Sequence, residues 1–304
     1  MRTRRIGSLT VSVVGVGCNN FGMTIDERRS ADVVHAALDA GINFFDTADM
    51  YGGTNSEEFL GKALAGRRDR AIVATKFGMR VDADRPGGAR PEYIRQAVEG
   101  SLKRLGTDHI DLYQLHTPDA KVPIADTLGA LDSLVKAGKV REIGCSNLSA
   151  EQLRAAEAAV RAGAARFASV QNQYSLLFRE PEAEVIPACE ELGLAFLPYF
   201  PLANGLLTGK YAKGAPPPAG SRMTMSWAAA GLTDRNFAIV DGLREIAQRN
   251  GRALLDLAIS WLLRHAVVAS VIAGATKPEQ VRANAAAADW NISKEDLAAI
   301  DRIA

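Results

Sequence analysis

The feature that most constrains this chain is an alternation that runs from end to end. Short runs, most rich in β-branched or aromatic residues, at 13–16, 43–46, 71–75, 110–115, 140–145, 169–173, 194–199 and 267–272 are separated by stretches of helical period. Strands joined through helices run parallel, and a parallel sheet needs helices to cover its faces. The intervening stretches fit: Ile94, Ala97, Val98, Leu102 and Leu105 recur on one helical face after Pro91. Capping-box spacing at Ser149/Gln152, Thr276/Glu279 and Ser293/Asp296 marks further helix starts. Such a sheet either closes into a (β/α)8 barrel or stays open and doubly wound. The open form carries G-x-G-x-x-G after its first strand. Here Gly15-Val16-Gly17 runs instead into Cys18, Asn19 and Asn20. The expectation is therefore an α/β fold of the TIM-barrel type, a single domain over 1–304. Residues 4–11 read as a β-hairpin with a Gly7-Ser8 turn capping the barrel bottom, and 210–233, with Pro216, Pro217 and Pro218, as a long loop that covers a ligand.

Charge narrows the partners. The 36 Lys and Arg nearly cancel the 35 Asp and Glu, so no global field draws the chain to nucleic acid or an anionic membrane. Cys18, Cys145 and Cys189 are far apart and suit free thiols in a reducing compartment. With neither a signal peptide nor a spanning apolar segment in view, the expected location is cytoplasmic, and the expected partner is a small molecule.

In a barrel, reactive groups project from the C-terminal ends of the strands. Asp46, Lys76 and His116 follow the second, third and fourth runs, Ser146 and Asn147 the fifth, and Gln171 lies in the sixth, while Tyr51 sits in the loop after Asp46. Singly, each has a plain structural alternative. Asp46 can cap a turn, His116 can be a satisfied core histidine, Lys76 a snorkelling surface group and Tyr51 an exposed loop aromatic. Together at one opening they suit proton transfer to an oxygen: an ammonium at Lys76 favours the phenolate of Tyr51, lowering its pKa toward neutrality, Asp46 holds the ammonium, and His116 directs a carbonyl. A metal-dependent hydrolase built on Asp46, Asp49 and His116 fits less well, because the other histidines, His35, His109 and His265, are not at strand ends.

The stretch 46–64, DTADMYGGTNSEEFLGKAL, resembles the aldo-keto reductase signature, in the branch of bacterial aldo-keto reductases and potassium-channel β subunits. Further matching segments are ATK at 74–76, DLYQLH at 111–116, GKVREIGCSN at 138–147, QNQYS at 171–175, PLANGLLTGKY at 201–211 and GATKPEQ at 274–280. The resemblance implies reduction of an aldehyde or ketone by NADP(H), with Tyr51 as general acid, Lys76 tuning it, Asp46 paired to Lys76 and His116 orienting the carbonyl. It also implies cofactor contacts: Ser146, Asn147 and Gln171 at the nicotinamide amide, Tyr199 stacked on the ring, and Gly17, Pro201, Leu202, Asn204 and Lys210 along the middle. Arg222, Gly274, Thr276, Lys277, Gln280 and Asn284 fall at the adenosine end. Three positions depart from the pattern: Phe200 stands where a serine is common, Gln280 where an arginine often meets the 2′-phosphate, and Ala283 where a glutamate is usual. They leave NAD(H) open as a second cofactor. An NADP(H)-binding regulatory subunit with little turnover is the alternative function. Substrate choice falls to the loops at 19–24, 77–90 and 210–233. Phe21, Met23, Phe77, Met79, Met223, Met225 and Trp227 could form an apolar pocket there, and Arg80, Arg85 and Arg90 could favour acidic substrates.

Overall fold

The computed structural model describes residues 1–304, the side chain of Trp227 excepted. β1 (Thr3–Ile6) and β2 (Leu9–Ser12) form the hairpin, with Ile6 opposite Leu9 across Gly7, whose φ of 55° suits a residue without Cβ. The parallel strands are β3 (Val14–Gly17), β4 (Phe44–Asp46), β5 (Ile72–Phe77), β6 (Ile110–Leu115), β7 (Val140–Ser146), β8 (Phe167–Gln173), β9 (Ala195–Tyr199) and β10 (Val271–Gly274). Among the described residues these eight make one sheet in the order β10-β3-β4-β5-β6-β7-β8-β9. The ends meet: the Phe196 N–H donates to Val267 O at 2.7 Å and the Ala269 N–H to Phe196 O at 3.0 Å, while β10 pairs with β3. The chain is a (β/α)8 barrel. The expected strand at 267–272 is displaced, because this run serves two edges: 267–269 pair with Phe196, and past buried Ser270 residues 271–274 join β3.

The helices that carry the crossovers are α1 (Glu27–Asp39), α2 (Asn55–Ala63), α3 (Pro91–Leu105), α4 (Ile124–Lys136), α5 (Ala150–Ala158) and α6 (Val185–Leu192). The short α7 (Ser226–Ala229) precedes α8 (Asp234–Arg249), α9 (Leu254–Leu262), α10 (Pro278–Ala286) and α11 (Lys294–Ile303). Ser149 and Gln152 make the expected capping box, and Ser293 accepts from the Asp296 N–H. Thr276 with Glu279 does not. Pro278 at the first helical position sets Lys277 as N-cap of α10, and Gln280 rather than Glu279 turns back to accept from the Thr276 amide at 2.8 Å. The 210–233 segment is also less irregular than its composition suggests, since it holds α7 and a turn of 3-10 helix at Arg222–Thr224, with Met223 and Ala228 buried. None of the described helices is long and apolar enough to cross a membrane.

Candidate active site

Side chains on a strand alternate faces, so residues two apart stack as layers up the barrel interior. Phe44, Ala74, Leu112 and Leu197 pack into one apolar cluster that Ile6, Leu9 and Val11 of the hairpin close from below. Two residues further along three of these strands stand Asp46, Lys76 and Gln114, and Gln171 joins them from β8; all four are buried. The Lys76 ammonium donates to Asp46 Oδ2 at 2.6 Å and to Thr47 O at 2.9 Å. Asp46 Oδ1 accepts from Gln171 at 2.9 Å and from Gln114 at 3.1 Å. Buried charges are tolerated only when paired and hydrogen-bonded, and this pair is both.

Tyr51 opens the turn between β4 and α2, where Gly52, Gly53 and Thr54 all have positive φ. A Cβ on Gly52 would sit 2.3 Å from Phe21 O, so the turn closes only with glycine there. This brings Tyr51 over the pair: the Lys76 ammonium lies 5.2 Å from its ring centroid, and His116 meets the ring edge-on, centroids 5.7 Å apart. Burial raises the Tyr51 phenol above its ordinary value; Lys76 opposes this and Asp46 adds to it. The expected lowering toward neutrality is thus overturned, because desolvation at this depth outweighs the ammonium. Burial also pulls Lys76 down, but Asp46 and then Tyr51 more than reverse it, and the ammonium stands above the usual lysine value. His116 is lowered to about 3 by burial and then by Lys76, so its ring is neutral. Its Nδ1 is buried and has no hydrogen-bond partner among the described residues, which sets aside the reading as a satisfied core histidine.

The remaining expected site residues surround this mouth in part. Gly17 and Gly274 end β3 and β10 side by side. Ser146 donates to Gln171 O at 2.7 Å; Asn147, at φ 62°, donates to His116 O and accepts from the Tyr199 hydroxyl at 2.9 Å. Gln171 itself turns its amide N–H toward Asp46. Pro201 is buried ahead of a turn in which Leu202 leads into Ala203 and Asn204, both at positive φ, and Asn204 Oδ1 is buried without a partner among the described residues. Lys210 lies against this turn, so close that a Cβ on Gly205 would sit 2.9 Å from its Nζ. Arg222 reaches Asn19 and Asn20 across the mouth, at 3.1 and 2.6 Å, and stacks over Phe200. At the far end Thr276, Lys277 and Gln280 lie at or near the surface around the start of α10, with Asn284 buried behind them. The non-glycine residues at positive φ, Thr54, Asn147, Phe200, Ala203 and Asn204, all lie on loops at this end of the barrel, where strain collects at working sites.

The proposed substrate pocket changes most. Phe21, Phe77 and Met223 belong to the core, and Phe77 stacks on Tyr113 at 4.7 Å. Met23 and Met79 are exposed, and Trp227 lies outside the described side chains. Arg85 pairs with Asp82 in its own loop. A groove of about 810 Å³ between α2 and α3 is separate from the mouth, and its Arg68 and Arg104 are engaged by Asp111 and Glu57. Sequence reading missed Gln114. Its signal was the two-residue step to His116, which puts both on the inner face.

Comparison with known proteins agrees with this geometry along the whole chain. The model of the aldo/keto reductase family matches residues 13–304. A probable aldo-keto reductase 1 of Glycine max is 36% identical over 94% of this chain and 84% of its own length. The uncharacterized oxidoreductase YrpG of Bacillus subtilis is also 36% identical, over 97% and 93%. Among solved structures, the glycerol dehydrogenase AKR11B4 of Gluconobacter oxydans superposes with a TM-score of 0.86 at 32% identity, covering 99% of this chain and 94% of that one. The holo form of the aldo-keto reductase AKR11C1 of Bacillus halodurans gives 0.82 at 35%, covering 100% and 96%. With the barrel, the signature stretch and matches of this extent in agreement, the chain belongs to the aldo-keto reductase family, whose members are oxidoreductases that act on carbonyl compounds.

Proposed function

We propose that this chain is an NADPH-dependent reductase of aldehydes or ketones in which Tyr51 gives the proton to the carbonyl oxygen. The observation that carries the reading is the buried Asp46–Lys76 pair set beside a phenol whose pKa burial raises, with neutral His116 at the same mouth. A raised phenol holds its proton at neutral pH, and the adjacent ammonium steadies the phenolate left behind once the proton is given. His116, neutral, can donate a hydrogen bond to the carbonyl oxygen and aim it at Tyr51. NADPH, when bound, supplies the hydride. The residues present suit it: Ser146, Asn147 and Gln171 offer amide and hydroxyl groups, Tyr199 a ring to stack on, and the strained turn with Lys210 a cationic cradle for a pyrophosphate. Asn204 Oδ1 in that turn, without a partner among the described residues, is a polar atom for such a ligand to satisfy. Thr276, Lys277 and Arg222 favour the 2′-phosphate of NADPH, while Gln280 and Ala283 keep use of NADH open. The buried free thiols suit the reducing cytoplasm.

The test follows NADPH oxidation over aromatic, aliphatic, sugar and phosphosugar carbonyls. Glycerol oxidation belongs in the panel because the Gluconobacter relative is named a glycerol dehydrogenase. Tyr51→Phe should lose about 10²- to 10⁴-fold in kcat while still binding NADPH, since only the donor is removed. Near-normal turnover in that variant would take Tyr51 out of the role. A tenfold preference for NADH would overturn the cofactor choice, and negligible turnover across the panel by a cofactor-binding wild type would favour a regulatory subunit.

A further inference from the structure

Asp46 takes three side-chain donors: the ammonium of Lys76 on Oδ2, and the amides of Gln171 and Gln114 on Oδ1. Two of the donors have other work under the function proposed above, on which this inference rests. Lys76 faces Tyr51, and Gln171 is assigned to the nicotinamide amide, so its hold on Asp46 is shared. Gln114 has no second duty. It lies wholly buried in β6, in register with Lys76 on one side and Gly144 on the other. Gly144 leaves the space its stem needs: a Cβ there would stand 3.2 Å from Gln114 Cγ and 2.6 Å from Ser169 Oγ. The Gln114 carbonyl oxygen accepts from Gln171 at 3.5 Å, which turns its own N–H groups toward Asp46.

We propose that Gln114 is a positioning residue for carbonyl reduction: its amide holds the Asp46 carboxylate at the angle that seats the Lys76 ammonium beside Tyr51. Sub-ångström displacement of such a group costs rate rather than binding. The groups that face Tyr51 electrostatically or by ring contact are Lys76, Asp46, Arg222, His116 and Tyr199, and Cys18 also faces Asp46 and Lys76. Of these, Asp46 is the negative charge that raises the phenol. An amide donor offsets part of that charge, so its loss moves the phenol further up.

Gln114→Leu keeps the volume and removes the donor. With Tm and NADPH affinity close to wild type, kcat should fall about tenfold, and the alkaline limb of its pH profile should move up by roughly half a unit. Gln114→Glu adds a titration of its own below the phenol's. As a neutral acid it can still donate to Asp46, so the acid side of the profile is rescued; on ionising it sets two carboxylates against each other, and activity falls at lower pH than in the wild type. An alkaline limb unmoved in folded Gln114→Leu overturns the proposal, with or without a loss of kcat, because packing alone would not shift it. If that variant does not fold, Gln114→Glu decides: a lowered limb supports the role, and an unchanged profile overturns it. Tyr51→Phe separates this from failure of the underlying reading. Full turnover in that variant removes the proton donor itself, whereas its loss of turnover leaves the Gln114 profiles to speak for positioning alone.

Discussion

Asp49 precedes Tyr51 by two residues and shows how a single carboxyl can set pH dependence at this site. It is buried, its Oδ1 has no partner among the described residues, and its pKa is pushed up to about 7 by burial and then by Glu57, against Arg104 and Arg85. An ordinary aspartate titrates near about 3.9, so between about 4 and 7 the native state binds the extra proton. Stability from this group is therefore present at low pH, declines as pH rises through that window and is flat above it. Asp49→Asn removes the titration, so it should raise Tm by about 2–4 °C more at pH 8 than at pH 5. Equal shifts at the two pH values in a thermal melt would refute the assignment. Residues of this kind mark the limit of sequence reading. Asp46, Tyr51, Lys76 and His116 were legible because each stands at or shortly after the end of a strand run. Gln114 was not, because it lies within a run that reads as core strand. Phe21, Phe77 and Met223 were placed at the mouth because nothing in a sequence distinguishes an aromatic that faces a ligand from one that faces the core.

At the scale of elements, the turn that carries Tyr51 is held by the helix that follows it. α2 crosses α3 so closely that a Cβ on Gly61 would stand 2.5 Å from Leu105 O and 2.7 Å from its carbonyl carbon. These are backbone atoms and cannot swing aside. Gly61→Ala must push α2 away from α3, at about 1–3 kcal/mol. The displacement reaches Tyr51 through the four-residue turn Tyr51–Thr54. The expected result is a lower Tm together with a several-fold fall in kcat at unchanged NADPH affinity. A variant that lost stability but kept full kcat would show that the turn is anchored independently of α2. The same scale explains which boundaries the sequence concealed. Helix starts were legible where a serine caps them, at Ser149 and Ser293, and misread at Thr276, where Pro278 shifts the N-cap by one residue. The last strand was misplaced because alternation marks a run as extended without saying which neighbour each half pairs with.

The barrel as a whole separates stability from chemistry along its axis, and Arg4 tests that separation. From β1 its guanidinium donates to Leu263 O at 2.8 Å, to His265 O at 2.7 Å and to Val268 O. This is the turn that enters the 267–269 pairing with Phe196, so the hairpin ties the seam where the sheet closes. Hydrogen bonds from a charged donor are worth more than ordinary ones. Arg4→Met keeps much of the stem and removes all three, which should cost on the order of 3 kcal/mol and lower Tm by several degrees. Amide exchange at Phe196 and Ala269, whose N–H groups make the seam, should quicken more than at β5 or β6, where each strand keeps both neighbours. Because the proposed reacting groups stand at the other end of the strands, kcat and KM at 25 °C should stay within about twofold of wild type. If activity fell in proportion to stability while exchange at the seam was unchanged, the hairpin would be acting on the mouth rather than on closure, and the two ends of the barrel would be coupled.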